Sequence, residues 1–252
     1  TERAARLLGK PCGRYLTLSL EALSRREEEA FPRSVRVLAA LIETLLPPLD
    51  SAAPVLIAGL GSRSITPDAV GPRSADHVIA TRHLISRSPE FFASWRPVSV
   101  LAPGVLGQTG VETGEIVRGV LDHVRPRAVI AIDALAAGRL SRLVRTVQLA
   151  DTGIVPGSGV NNARAALDRQ TLGVPVLSIG VPTVADGGSL AHEIAQQLDG
   201  AQCEALDDLS QPFIITTRDI DREVADTARL IGYAVNMALQ HISVEEIDLY
   251  LS

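Results

Sequence analysis

The sequence predicts an α/β domain built on a mostly parallel sheet with helices on both faces. Three observations lead there. Four short apolar runs recur along the chain: "PVLIAGL" (54–60), "PVSVLAP" (97–103), "RAVIAID" (127–133) and "VPVLSIGVP" (174–182). Segments with helical apolar spacing separate most of them. The runs are apolar throughout rather than alternating, as expected of strands covered on both faces.

The elements follow in chain order. "GKPCGRYLTLSLEAL" (9–23) alternates around Tyr15, Leu16 and Leu18 and reads as a strand after a Pro/Gly turn. "SRREEEAF" (24–31) is charged and solvated. Residues 33–46 repeat Val35, Leu38, Ile42 and Leu45, a helical stripe that Pro47 and Pro48 terminate. Helical patterns cover 74–86 through Val78, Ile79 and Leu84, and 114–124 through Val117, Val120, Leu121 and Val124. "VRTVQLAD" (144–151) is a fifth strand candidate, more polar and alternating. Residues 189–198 carry Leu190, Ile194 and Leu198, and a long helix over about 219–240 carries Val224, Ala228, Ile231 and Val235. The last segment opens with a capping-box pattern, Ser243 to Glu246. The 252 residues read as one domain: a strand-and-helix appendage over 1–50, a core with the site over 51–200, and a helical segment over 201–252.

Composition excludes several classes. Net charge is −5 with positive charge unclustered, which argues against a nucleic-acid surface. No apolar run approaches the roughly 18 residues of a membrane span. Cys12 and Cys203 are too few for a disulfide framework and lack metal-motif spacing, as suits a reducing cytoplasm. The chain starts Thr-Glu-Arg, so a trimmed N-terminus is expected.

In a parallel α/β sheet the ligand crevice lies at the carboxyl ends of the strands. Four strand candidates deliver an aspartate there. Asp68 follows "VLIAGLG" by a short loop, Asp133 ends "AVIAID", Asp151 ends "TVQLAD" and Asp186 follows "VLSIGVPTVA". If the strands are parallel neighbours, these acids converge on one rim. Two adjacent carboxylates share a proton, so one can activate water while the other protonates a carbonyl. The competing reading for each is an N-cap of the next helix, where a carboxylate accepts backbone N–H groups. Asp133 fits that reading least, because it follows four apolar residues and precedes "ALAAG". Asp221, Asp226 and Asp248 have charged neighbours on helical patterns and read as solvated.

Other motifs give weaker signals. "GLGS" after a strand is similar to a phosphate-binding turn, but Ser64 stands where a third glycine would be and no Walker Lys follows. "DTGIVPGSGVNNAR" (151–164) either offers backbone N–H groups to an oxyanion or is an irregular loop needing positive φ. "ATRHL" (80–84) places Arg82 and His83 after Asp68. Metal ligation there would need Asp68 and His83 with further acids, and no strong metal triad is apparent. Ser62 and Ser158 lie beside glycines but outside a nucleophile elbow, which disfavours a serine hydrolase.

The motifs "GLGSRSITPDAVGP", "TRHL", "RPVSVLAPGVLGQTGVETGEI", "VIAIDALAAG", "ADTGIVPGSGVNNAR" and "LGVPVLSIGVPTVAD" together closely resemble the bacterial spore germination protease family. "GKPCGRYLTL" and "FIITTRDIDREV" extend the resemblance over nearly the whole chain. The resemblance implies an atypical aspartic endopeptidase that degrades small acid-soluble spore proteins at germination in the spore core. It further implies a zymogen that loses an N-terminal propeptide, a homotetramer, and no required cofactor. The implied catalytic pair is Asp68 and Asp133; Asp151, Arg82 and His83 are expected to support it. The implied fold is that of hydrogenase-maturation proteases, a phosphorylase/hydrolase-like arrangement. Two alternatives stay open: a metal-dependent maturation-type protease and a non-enzymatic anion-binding module. The chain departs from the family with Ser62 and Ser64 where asparagines are usual, and Asn161 where glycine is.

Overall fold

The computed structural model describes residues 9–158, 164–188, 190 and 213–252. The four apolar runs form the centre of a sheet: β2 (Val55–Gly59), β3 (Val98–Leu101), β4 (Ala128–Ala136) and β6 (Val176–Asp186). They are mutually parallel in the order β6-β4-β2-β3. Two further strands, β1 (Tyr15–Ser19) and β5 (Thr146–Ala150), complete the edge beyond β6. β5 runs antiparallel to β6, and β1 antiparallel to β5. A short β7 (Ile214–Ile215) pairs antiparallel with the far end of β6.

Strand side chains alternate between the two faces, and each face has its own apolar cluster. Val55, Ile57, Ile130, Ile132, Leu177 and Ile179 face α1 (Ala30–Leu45), α2 (Val70–Asp76) and α7 (Ile220–Gln240). Leu56, Ala58, Val129, Ala131 and Val176 face Val117 and Leu121 of α5 (Thr113–Val124) and Leu172 of α6 (Arg169–Leu172). The predicted stripe of α7 is real: Val224, Ala228, Ile231 and Val235 are fully buried. Among the described residues no helix is long and apolar enough to cross a membrane.

Two boundaries differ from the expectation. The stripe over 74–86 is two helices, α2 and α3 (Arg82–Arg87). Buried Asn236 of α7 breaks it by accepting from the Ile79 N–H at 2.9 Å and donating to the His77 carbonyl at 2.8 Å. One turn on, Gln240 clasps the backbone of Arg96 the same way. These amides satisfy chain that has left the helix, which is the role a buried polar side chain must have. The second difference is β4, which runs three residues past Asp133. After α7, α8 (Val244–Leu251) starts with the expected Ser243–Glu246 capping box. Asp248 is exposed, as expected, and also accepts from the Tyr233 hydroxyl and from Arg229. The helix expected over 189–198 lies outside the described residues apart from Leu190.

Candidate active site

Asp133 is buried, 5% exposed, inside β4 rather than at its end. By alternation it shares a face with Val129 and Ala131, above the α5 cluster. Its register partner on β6 is Gly180, and the Leu135 side chain fills the space beside that glycine. One Asp133 oxygen accepts from the next backbone N–H, of Ala134, at 2.9 Å.

Asp68 arrives from the loop after β2. Thr66–Asp68 form a single 3₁₀ turn with Pro67 in its first residues, closed by the Asp68 N–H on the Ile65 carbonyl at 2.8 Å. The loop folds tightly because Gly61 has φ 106°, and a Cβ there would lie 2.1 Å from the Asp68 carbonyl oxygen. The Asp68 carboxylate reaches back and accepts from the Ser62 N–H at 2.7 Å. It makes no cap to the helix that follows, α2, whose N-cap has no side-chain bond. The N-cap reading therefore does not describe Asp68.

Electrostatics ties the two acids together. Burial raises the Asp133 carboxyl to about 7, and the neighbouring Asp68 charge pushes in the same direction against the Ala134 N–H. Burial also lifts Asp68 above the ordinary carboxylate range, while the Ser62 N–H favours its charged form. Both carboxyls are thus raised by burial, Asp133 further because the Asp68 charge adds to it, while the Ser62 N–H opposes the rise at Asp68.

The other predicted residues lie elsewhere. β5 is antiparallel, so its carboxyl end points to the opposite side of the sheet from those of β4 and β6. This corrects the expectation that Asp151 joins the rim. Asp151 instead accepts from Arg14 through the backbone N–H and Nε, both at 2.8 Å. Burial opposes its charge, but Arg14 wins and holds the Asp151 carboxyl below its ordinary value. Arg82 and His83 are exposed on α3. Asp186 is exposed in the ladder opposite Ile214. In the glycine-rich loop after β5, Gly153 and Gly157 take positive φ, and Ile154 bridges Leu167. Residues 159–163, with Asn161, lie outside the described residues. Among the described residues no three His, Cys, Asp or Glu gather as a metal-binding group.

Sequence reasoning missed Gln108. It lies in a helical turn, Leu106–Thr109, on the loop after β3. Because β2 and β3 are parallel neighbours, that loop meets the Ser62–Ser64 segment, and Gln108 Nε2 donates to Ser62 Oγ at 2.8 Å and to Ser64 Oγ at 3.1 Å.

Comparison with known proteins places the sequence among germination proteases. The sequence family described as germination protease matches residues 1–200. A germination protease of Caldanaerobacter subterraneus subsp. tengcongensis is 40% identical, over 95% of this chain and 82% of the relative. One of Clostridium perfringens is 34% identical over 100% of this chain and 86% of the relative. One of Bacillus subtilis is 45% identical over 77% of this chain and 53% of the relative. Among solved structures, the NiFe hydrogenase maturation protease HycI from Thermococcus kodakarensis aligns with a TM-score of 0.43 at 16% identity, over 78% of this chain and 99% of that one.

Proposed function

The chain belongs to the germination protease family and is a peptidase, and we propose that it is an endopeptidase in which Asp68 and Asp133 activate water. The observation that carries this reading is the placement of two neighbouring carboxyls, one buried in β4 and one held by the Ser62 N–H.

In this mechanism Asp68, the anion, accepts a proton from a water whose oxygen bonds to the scissile carbonyl carbon. Asp133 gives its proton to the carbonyl oxygen as that oxygen gains charge. When the tetrahedral intermediate collapses, the C–N bond breaks and Asp68 passes its proton to the leaving amine. Asp133 recovers a proton from the intermediate's hydroxyl, which restores the starting pair. The buried wall around Asp133 keeps it protonated up to neutral pH, where a solvated aspartate would be ionised.

Family membership supports small acid-soluble spore proteins as substrate, a homotetrameric assembly, activation by loss of an N-terminal propeptide, and action in the spore core. The test is incubation of the purified protein with a small acid-soluble spore protein, with and without a chelator. Discrete internal cleavage that the chelator leaves unchanged is the expected result. Chelator-abolished cleavage would favour metal-dependent chemistry, and an intact substrate would favour a binding module.

A further inference from the structure

We propose that Gln108 is the positioning residue for Asp68, acting through Ser62 and Ser64; this rests on the reading of Asp68 as the water-activating carboxylate. The argument follows the protons. A Gln amide nitrogen carries two hydrogens and no acceptor. Gln108 Nε2 lies 2.8 Å from Ser62 Oγ and 3.1 Å from Ser64 Oγ, and the two hydroxyl oxygens are 2.9 Å apart. With the nitrogen inward, all three contacts carry a proton: two from the amide and one between the serines. With the amide turned over, both serines would donate to Oε1 and their own contact would hold no hydrogen. The first arrangement is the satisfied one.

Burial then sets the direction of the serine–serine bond. Ser62 is 1% exposed whereas Ser64 is exposed. Water can accept the Ser64 proton but cannot reach that of Ser62, so Ser62 donates to Ser64. The chain Gln108 to Ser62 to Ser64 thus fixes the Ser62 side chain from two sides. Fixing Ser62 fixes its backbone N–H, which holds Asp68 Oδ2 at 2.7 Å. The amide donor from the neighbouring loop fits these two hydroxyls. A loosened loop would weaken the Ser62 N–H hydrogen bond that favours the Asp68 anion.

The experiment follows Asp68 by carboxyl ¹³C NMR titration in the wild-type chain and in Gln108→Ala and Gln108→Met. The methionine keeps length and bulk but neither donates nor accepts as the amide does. In both variants the Asp68 midpoint should rise, and the acid limb of the rate profile should rise with it. kcat should fall by up to about tenfold, the limit set by losing the charge-assisted Ser62–Asp68 hydrogen bond outright, with KM little changed. A wild-type titration of Asp68 in both variants would overturn the positioning role. Undiminished cleavage by Asp68→Asn in the same assay would overturn the catalytic reading beneath it, while the titration would still decide whether Gln108 governs Asp68.

Discussion

Gly71 of α2 lies so close to β4 that a Cβ on it would stand 2.4 Å from the carbonyl oxygen of Ile132, the residue before Asp133. The same Cβ would meet the Leu60 carbonyl oxygen at 2.2 Å. Gly71 is three residues beyond Asp68, so this close approach seats the Asp68 turn against the strand that holds Asp133.

Replacing Gly71 with Ala should therefore separate the two carboxyls as well as strain the fold. Both obstacles are backbone atoms that cannot rotate away, so a loss of about 1–3 kcal/mol or more is expected. Gly138→Ala is the matched control: it is exposed, and its Cβ would meet nothing within 4 Å. Chemical denaturation of the two variants checks this, with Gly71→Ala destabilised and Gly138→Ala within about 0.5 kcal/mol of wild type.

Asp133→Asn should abolish cleavage and yet stabilise the protein at alkaline pH. Burial raises the folded-state carboxyl from 3.8 to about 7. Between those values the folded chain keeps a proton that the unfolded chain releases, so wild-type stability falls as pH rises through that window. An amide carries no charge and escapes the loss. Its Tm should exceed wild type by several degrees at pH 8, with the advantage gone by about pH 4. Calorimetry across that range gives the answer.

Asp68→Asn removes the like charge beside Asp133. The Asp133 midpoint should then fall below about 7, but it should stay well above the ordinary value because burial is the larger cause. Carboxyl ¹³C NMR reads this directly.

Asp151→Asn should leave cleavage nearly intact. Its carboxylate is committed to Arg14, which also donates to the Thr44 carbonyl at 2.8 Å and so ties β1 to α1. The expected cost is about 1 kcal/mol of stability. That contribution exists above the unfolded carboxylate value and fades as pH falls through the lowered folded one. Peptidase assays and denaturation at pH 7 separate the two effects.

The central strands were legible because a strand covered on both faces must be apolar throughout, and "VLIAG" and "AVIAI" are. The direction of β5 was not, since an apolar–polar alternation reads the same for either orientation, and this misplaced Asp151 on the active rim. The break between α2 and α3 was also hidden, because its cause is Asn236, which is 157 residues from Ile79. Asp68 and Asp133 were visible as strand-end acids, and the family motifs selected them from four. Gln108 carried no local signal. Its meaning depends on β2 and β3 being neighbours, because only that adjacency brings its amide to Ser62 and Ser64.

The most direct test of the central claim is cleavage of a small acid-soluble spore protein by Asp68→Asn and Asp133→Asn, each first shown to fold by circular dichroism. Loss of a general acid or base costs about 10²–10⁴ in rate, so both variants should fall at least a hundredfold while remaining folded. Wild-type cleavage by either folded variant would contradict the aspartate pair.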